Sequence, residues 1–376
     1  MIRRFRIPRL PLIPVLLMVA IGLVVACSGV SALSEPGGNV GNKAPEFEGI
    51  SNWINSEPLT MEELRGKVVL IDFWTYTCVN CVRTMPYLKE WHDKYAKEGL
   101  VIIGVHAPEF EFEKLTENVE NSVREFDLTY PIAQDNEMGT WRAYSNRAWP
   151  AKYLVGENGF VRYKHFGEGS YQETERQIRD ALRAAGASLA NIYESTAEEP
   201  QFDREARSRD LNKRITREIY GGFRRNNNRA GLYVTQREYY EGPGRIVDYV
   251  DPGNHVNHSV YLHGSWFNGL EELRHGRKTE SYEDYLALKF SATTVNADGA
   301  PPFTVRVTID DRPLRPDEAG PDVVVSDEGS FFTVDEPRMY EVVALPAYSS
   351  HELKLSSNSD DFALFAFTFG AYEDGP

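Results

Sequence analysis

Apolar positions fall into two regimes along the chain. Between residues 43 and 188 short continuous runs alternate with helical spacings. Lys67–Phe73 (KVVLIDF) and Leu100–Val105 (LVIIGV) are unbroken and β-branched, the pattern of strands buried on both faces. Val82–Lys97, Leu115–Phe126 and Thr174–Ala185 carry apolar residues at helical spacing. Ala151–Val155 and Phe160–His165 read as two strands joined through a Glu157-Asn158-Gly159 turn. Strands alternating with helices predict an α/β layer around a central sheet.

Residues 189–213, with an acidic patch at Glu198-Glu199, read as a linker, and after it helical spacing disappears. The runs Tyr285–Ala292, Phe303–Asp310, Phe331–Val334, Met339–Ala344, His351–Leu355 and Phe362–Phe369 are short and alternating. Turn signals separate them at Asn296-Ala297-Asp298-Gly299, Pro301-Pro302 and Asp327-Glu328-Gly329. This predicts an all-β antiparallel sandwich over 214–376. Both faces of the last run are apolar, so it is expected to be a central strand.

The first 27 residues differ from everything that follows. Arg3, Arg4, Arg6 and Arg9 precede an apolar stretch at 10–26, the shape of an export signal. Val24-Val25-Ala26-Cys27 resembles a bacterial lipoprotein box with Cys27 as the lipid attachment point. Cleavage after Val30-Ser31-Ala32 and an uncleaved helical anchor are the alternatives. All three deliver the body of the chain outside the cytoplasm. Residues 28–42 are small, Gly-rich and polar, and read as a flexible tether. No second run is long and apolar enough to span a membrane.

Composition narrows the function. Of 376 residues, 41% are hydrophobic and 26% charged, which excludes a collagen, a coiled coil or a wholly disordered chain. Acids outnumber bases 56 to 41, for a net charge of −15, so nucleic acid is not an expected partner. With three cysteines, the chain is no disulfide-stapled scaffold.

Two of those cysteines carry the chemistry. Cys78-Val79-Asn80-Cys81 follows a buried strand and opens a helix. Unpaired N–H groups and the helix macrodipole favour negative charge there, so Cys78 is expected to be an acidic, nucleophilic thiol. Cys81, about one turn on, can attack a mixed disulfide formed by Cys78. The pair thus closes and opens a redox-active disulfide. A zinc half-site or a stapling disulfide are the structural alternatives; zinc would need two further ligands, and no second cysteine pair exists. No metal or organic cofactor is expected: the dithiol itself is the cofactor.

Asp72-Phe73-Trp74, the Cys78–Cys81 pair, Pro86 and Trp149-Pro150 together resemble the thioredoxin superfamily. VVLIDFWTYTCVNCVRTMPYL, GVHAPEFEFEK and RAWPAKYLV are similar to the extracytoplasmic TlpA-like branch, and more narrowly to DipZ-type proteins. In those a β-sandwich related to carbohydrate-binding modules, jelly-roll and galactose-binding-like, often follows. The stretch from Ile219-Tyr220-Gly221-Gly222 to Phe367-Thr368-Phe369-Gly370 resembles it. The resemblance implies that Asp72 is a buried carboxyl that takes a proton from Cys81 as it attacks. It implies a cis-proline at Pro150, presenting the backbone of Trp149 to a substrate chain. Trp74 and Tyr76 would shape the rim of the site or simply pack. The DipZ-type multi-helix membrane domain has no counterpart here, so a separate membrane electron donor is expected.

The expected function is a membrane-tethered extracytoplasmic thiol–disulfide oxidoreductase acting on protein thiols and disulfides. The uncharged Val79-Asn80 favours a reductant or exchanger. Thr75, three residues before Cys78, echoes peroxiredoxins and leaves a thiol peroxidase as one alternative. The other is a surface carbohydrate- or protein-binding protein using the thioredoxin fold as scaffold. Trp266, Phe267 and Tyr340 are candidates for sugar stacking, with core packing as the plainer reading. His255, His258 and His263 read as scattered surface histidines rather than a metal site, with strand alternation placing the last two on opposite faces. Arg224–Arg229 reads as a solvated loop, and Glu109–Asp127 as a wet helix face with a preceding loop.

Overall fold

The computed structural model describes residues 37–196, 200–228, 231–299 and 303–372. The export signal and Cys27 lie outside the described residues. Among the described residues no helix is long and apolar enough to cross a membrane.

Six strands build the first sheet: β1 (Asn52–Ile54), β2 (Val68–Trp74), β3 (Leu100–His106), β4 (Ile132–Gln134), β5 (Ala151–Val155) and β6 (Val161–Phe166). Their order is β1-β4-β3-β2-β5-β6, with β2, β3 and β4 parallel and β1, β5 and β6 antiparallel to their neighbours. The apolar runs are continuous because both faces are covered. Val68, Leu70, Ile102 and Leu154 point into one core with Leu88, Trp91, Ile178 and Leu182. Val69, Ile71, Ile103 and Tyr153 point into another with Ala44 and Tyr144. Helices α1 (Val79–Tyr95), α2 (Thr116–Glu125), α3 (Gly139–Ala143) and α4 (Tyr171–Ala184) complete the layer. Pro86 sits inside α1. This is an α/β layer around a central sheet, as the alternation of strands and helices predicts, and it is thioredoxin-like, as the resemblance implies.

The C-terminal half is antiparallel and β-rich. It contains β7 (Ile219–Tyr220), β8 (Asn227–Asn228), β9 (Gly231–Leu232), β10 (Arg245–Tyr249), β11 (Ser259–Asn268), β12 (Leu273–His275), β13 (Tyr285–Gly299), β14 (Phe303–Ile309), β15 (Val324–Ser326), β16 (Gly329–Val334), β17 (Arg338–Ser356) and β18 (Ala363–Gly370). The long strand β13 pairs with β11 through its first half and with β18 through its second, and lies along β17 over both. Register shifts near residues 292–296 let the strand bend between the two sets of partners. The result fits a sandwich-like fold, with β18 between β12 and β13 as its two apolar faces require.

Several expectations need correction. Asn296–Gly299 is strand, not turn. Asn296 and Asp298 are buried, and Asn296 bonds Thr368 on β18. Met339–Ala344 and His351–Leu355 are one strand, β17. Trp266 and Tyr340 are fully buried in the sandwich core, the plainer of the two readings, and neither offers a face to a sugar. Phe267 is half-buried beneath the Arg274 guanidinium. His258 precedes β11 in a left-handed turn, φ 66°, so strand alternation does not govern it. His255 is not a surface histidine: it sits between Asp251 (2.6 Å) and Glu352 (2.7 Å).

Candidate functional site

Strand β2 ends at Trp74, and three residues later Cys78 caps α1. Its extended backbone (φ −77°, ψ 105°) turns the chain into the helix, and its Sγ accepts the Cys81 N–H at 3.3 Å. This is the geometry of an N-cap, with sulfur where an oxygen usually sits. Cys78 is half-buried and Cys81 buried, and both are free thiols. Thr77 donates to Glu113 (2.6 Å), and Thr75 lies 3.3 Å from His106 Nε2 at the end of β3. Together they fix the turn from both sides. His106 stacks on Tyr76 (5.6 Å), and burial holds it neutral, its pKa pushed down to about 3.

The floor beneath the pair is charged. Asp72 and Lys152 face each other across β2 and β5, with Lys152 Nζ 3.5 Å from Asp72 Oδ1, and both are buried. Burial pushes the Asp72 carboxyl up to about 6; Lys152 pulls it back down only in part. Burial also raises the Cys81 thiol, and Asp72 adds to that.

The expected acidity of Cys78 is not found. Burial pushes its thiol well above the ordinary value, followed by the Cys81 side chain and the carboxyl of Glu218. The Cys81 N–H works the other way and is outweighed. The cause lies in the C-terminal half, which closes over the dithiol. A cavity of about 310 Å³ separates them, lined by Cys78, Arg83 and Trp149 on one side and Glu218, Thr368 and Phe369 on the other.

Loop Ala107–Lys114 makes the seat between the halves. Phe110 and Phe112 stack on each other (5.5 Å), and Phe365 of β18 packs edge-on against both (5.4 and 4.8 Å). Glu109 accepts from the Tyr220 hydroxyl (2.9 Å) and pairs with Arg225. Arg225 therefore belongs to an ion pair at this seat, with Asn226 buried behind it, and not to a solvated loop. Glu109 and Glu113 are likewise buried rather than wet. Burial pushes Glu113 up to about 7.

Asp72, Cys78, Cys81, Trp74, Trp149 and Pro150 thus fall in one place. The Trp149–Pro150 peptide is cis, and Trp149 donates its indole N–H to Ala107 O at 2.9 Å. Trp74 is buried with the core rather than forming a rim. Lys152, Glu113, Glu218 and His106 were not singled out in the sequence. Lys152 had a signal: it is the one charge in the apolar run of β5. Among the described residues no group of three or more His, Cys, Asp or Glu side chains is placed to hold a metal.

Fold and dithiol together define a thioredoxin-like protein, and comparison with known proteins narrows this. Residues 40–164 match the AhpC/TSA family, and residues 216–370 match the thioredoxin-like C-terminal domain family. Thiol-disulfide oxidoreductase YkuV of Bacillus subtilis is 32% identical over 139 residues, 37% of this chain and 93% of that protein. Thiol-disulfide oxidoreductase ResA of Bacillus cereus is 30% identical over 140 residues, 37% of this chain and 77% of that protein. Protein DipZ of Mycobacterium tuberculosis is 33% identical over 330 residues, 87% of this chain. The match spans 43% of DipZ's own length. The chain belongs to the thioredoxin-like thiol–disulfide oxidoreductases and is of the TlpA/DipZ type.

Proposed function

We propose that the chain exchanges disulfides through Cys78 and Cys81, as a reductant or thiol exchanger. Cys78 attacks a substrate disulfide: a bond forms between its sulfur and one substrate sulfur, and the other leaves as a thiol. Cys81 then attacks Cys78, releases the second substrate thiol and closes the Cys78–Cys81 disulfide. Asp72 takes the Cys81 proton in that second step. A carboxyl raised to about 6 beside Lys152 has a suitable affinity for that proton near neutral pH. The observation that carries the reading is the Cys78 Sγ capping α1, with Cys81 one turn on within electrostatic reach of the buried Asp72–Lys152 pair. Trp149 borders the cavity and, with the cis peptide to Pro150, serves to dock the substrate chain.

In this account residues 43–188 carry the dithiol, 189–213 link, and 214–376 form a binding module seated over the site. The chain works outside the cytoplasm, held at the membrane through the N-terminal segment or a lipid on Cys27, and draws electrons from a separate membrane protein. Its clients are protein thiols and disulfides there. With Trp266 and Tyr340 buried, the module is better read as a wall of the thiol site than as a sugar platform.

The test is reduction of insulin disulfides by the full chain with dithiothreitol as electron source. Turnover is expected, and Cys78→Ser should abolish it. Turnover that survives Cys78→Ser would leave the binding-protein reading. Peroxide consumption dependent on Cys78, without insulin reduction, would favour the peroxidase.

A further inference from the structure

The cavity above Cys78 holds a carboxyl that the exchange steps leave unused. Glu218 comes from the C-terminal half, just before β7, and shares the cavity wall with Cys78 and Glu109. Its Oε2 accepts from the Tyr220 hydroxyl at 2.8 Å, and that hydroxyl also lies 2.9 Å from Glu109. Charged and titratable neighbours surround it. Cys78 and Arg83 face it from α1, Glu109 and Glu113 from the loop after β3, and Glu168 from the turn before α4. Arg217, Tyr220 and Arg225 flank it in its own segment, and Asp298 approaches from β13.

The nucleophile needs such a partner. A thiol held well above its ordinary pKa keeps its proton at neutral pH and must lose it as it attacks. Asp72 acts on Cys81, whereas Glu218 acts on Cys78. Burial and then the Glu109 carboxylate push Glu218 up to about 8, so it can both accept and return a proton near neutrality. The cavity, at about 310 Å³, has room for a linking water, which occupies about 30 Å³.

We propose that Glu218 is the proton-exchange partner of Cys78, an assignment that rests on Cys78 being the nucleophile. The Cys78 proton passes to the Glu218 carboxylate as the sulfur attacks. The Cys78–substrate S–S bond forms, the substrate S–S bond breaks, and the departing thiolate takes the proton back from Glu218. Protons and electrons balance without any further reagent. The C-terminal half thereby supplies a working group to the thiol site and is more than a tether or a lid.

The experiment compares three probes on the reduced full chain carrying Cys81→Ala, which stops after the first step. Glutathione disulfide expels an alkyl thiolate that needs a proton. 5,5′-Dithiobis(2-nitrobenzoate) expels an aryl thiolate that does not, and iodoacetamide expels iodide. At pH 7, Glu218→Gln should slow glutathione disulfide about tenfold. The aryl disulfide and iodoacetamide also require the Cys78 proton to leave but need none returned to their leaving groups, so they should slow clearly less than glutathione disulfide. Glu218→Asp should regain most of the lost rate. Equal slowing with all three probes, or an unchanged rate with glutathione disulfide, overturns the assignment. If glutathione disulfide still reacts with Cys78→Ser in the same background, the dithiol reading fails, independently of Glu218.

Discussion

Replacing Asp72 by Asn removes a carboxyl whose ionisation the folded state resists. In the unfolded chain this group titrates near 3.8; in the fold burial raises it to about 6 against the pull of Lys152. Below 3.8 it is neutral in both states and costs nothing. As pH rises through 6 the unfolded state has already released the proton and the folded state pays to follow, so stability is lost across that window. Each tenfold change in the ionisation constant is worth about 1.4 kcal/mol, so the full effect is about 3 kcal/mol. The asparagine variant carries no such penalty. Its stability relative to the native chain should therefore rise by 2–3 kcal/mol, roughly, between pH 4 and pH 8. Urea unfolding of the reduced proteins, followed by tryptophan fluorescence, measures this. Comparing the two proteins at both pH values cancels the packing and hydrogen-bond effects of the substitution. A gap that is the same at pH 4 and pH 8 would refute the buried, reluctantly ionised carboxyl.

Phe365→Ala should destabilise the chain by about 2 kcal/mol, because the ring packs edge-on against both Phe110 and Phe112. Calorimetry reads it, and the looser seat should also speed labelling of Cys78 by a bulky maleimide. Arg225→Ala should cost about 3 kcal/mol, since it leaves the Glu109 carboxylate, 6% exposed, without its ion-pair partner; Arg225→Lys should recover part of it in the same unfolding assay. Gly264→Ala should cost more than about 3 kcal/mol. Its φ is +82°, and a Cβ there would lie 2.1 Å from the Asp284 carboxyl, which holds Arg277 and His275. Soluble yield and unfolding midpoint check that prediction.

What was legible in the sequence follows from the size of each signal. β2, β3 and β5 are apolar on both faces and stood out. β1 and β4 are three residues each, too short for any periodicity; β4 is held by pairing along β3's edge and β1 by pairing with β4. In the C-terminal half, β13 and β17 were cut into pieces because polar residues interrupt them. Asn296 and Asp298 look like turn formers yet both sit buried in β13, where Thr368 on β18 replaces water for Asn296 and Asp298 Oδ1 is left without a hydrogen-bond partner. At the site, Cys78, Cys81 and Asp72 were readable from spacing and resemblance. Glu218 was not, because it arrives from 140 residues away in a half whose orientation no local pattern encodes. That same arrangement, the second half lining one cavity with Cys78, explains why the thiol is not acidic. A helix start alone favours a thiolate, but the covering of the sulfur by the second half removes solvent, and here desolvation wins.

Trapping the mixed disulfide tests the division of labour between the two cysteines most directly. The full chain carrying Cys81→Ala, exposed to a disulfide-containing client and acid-quenched, should retain one client thiol in disulfide linkage to Cys78, identified by peptide mass spectrometry. Cys78→Ala should retain none. Client captured at Cys81 in the Cys78→Ala chain, or no adduct at Cys78 in a folded Cys81→Ala chain, would contradict the account.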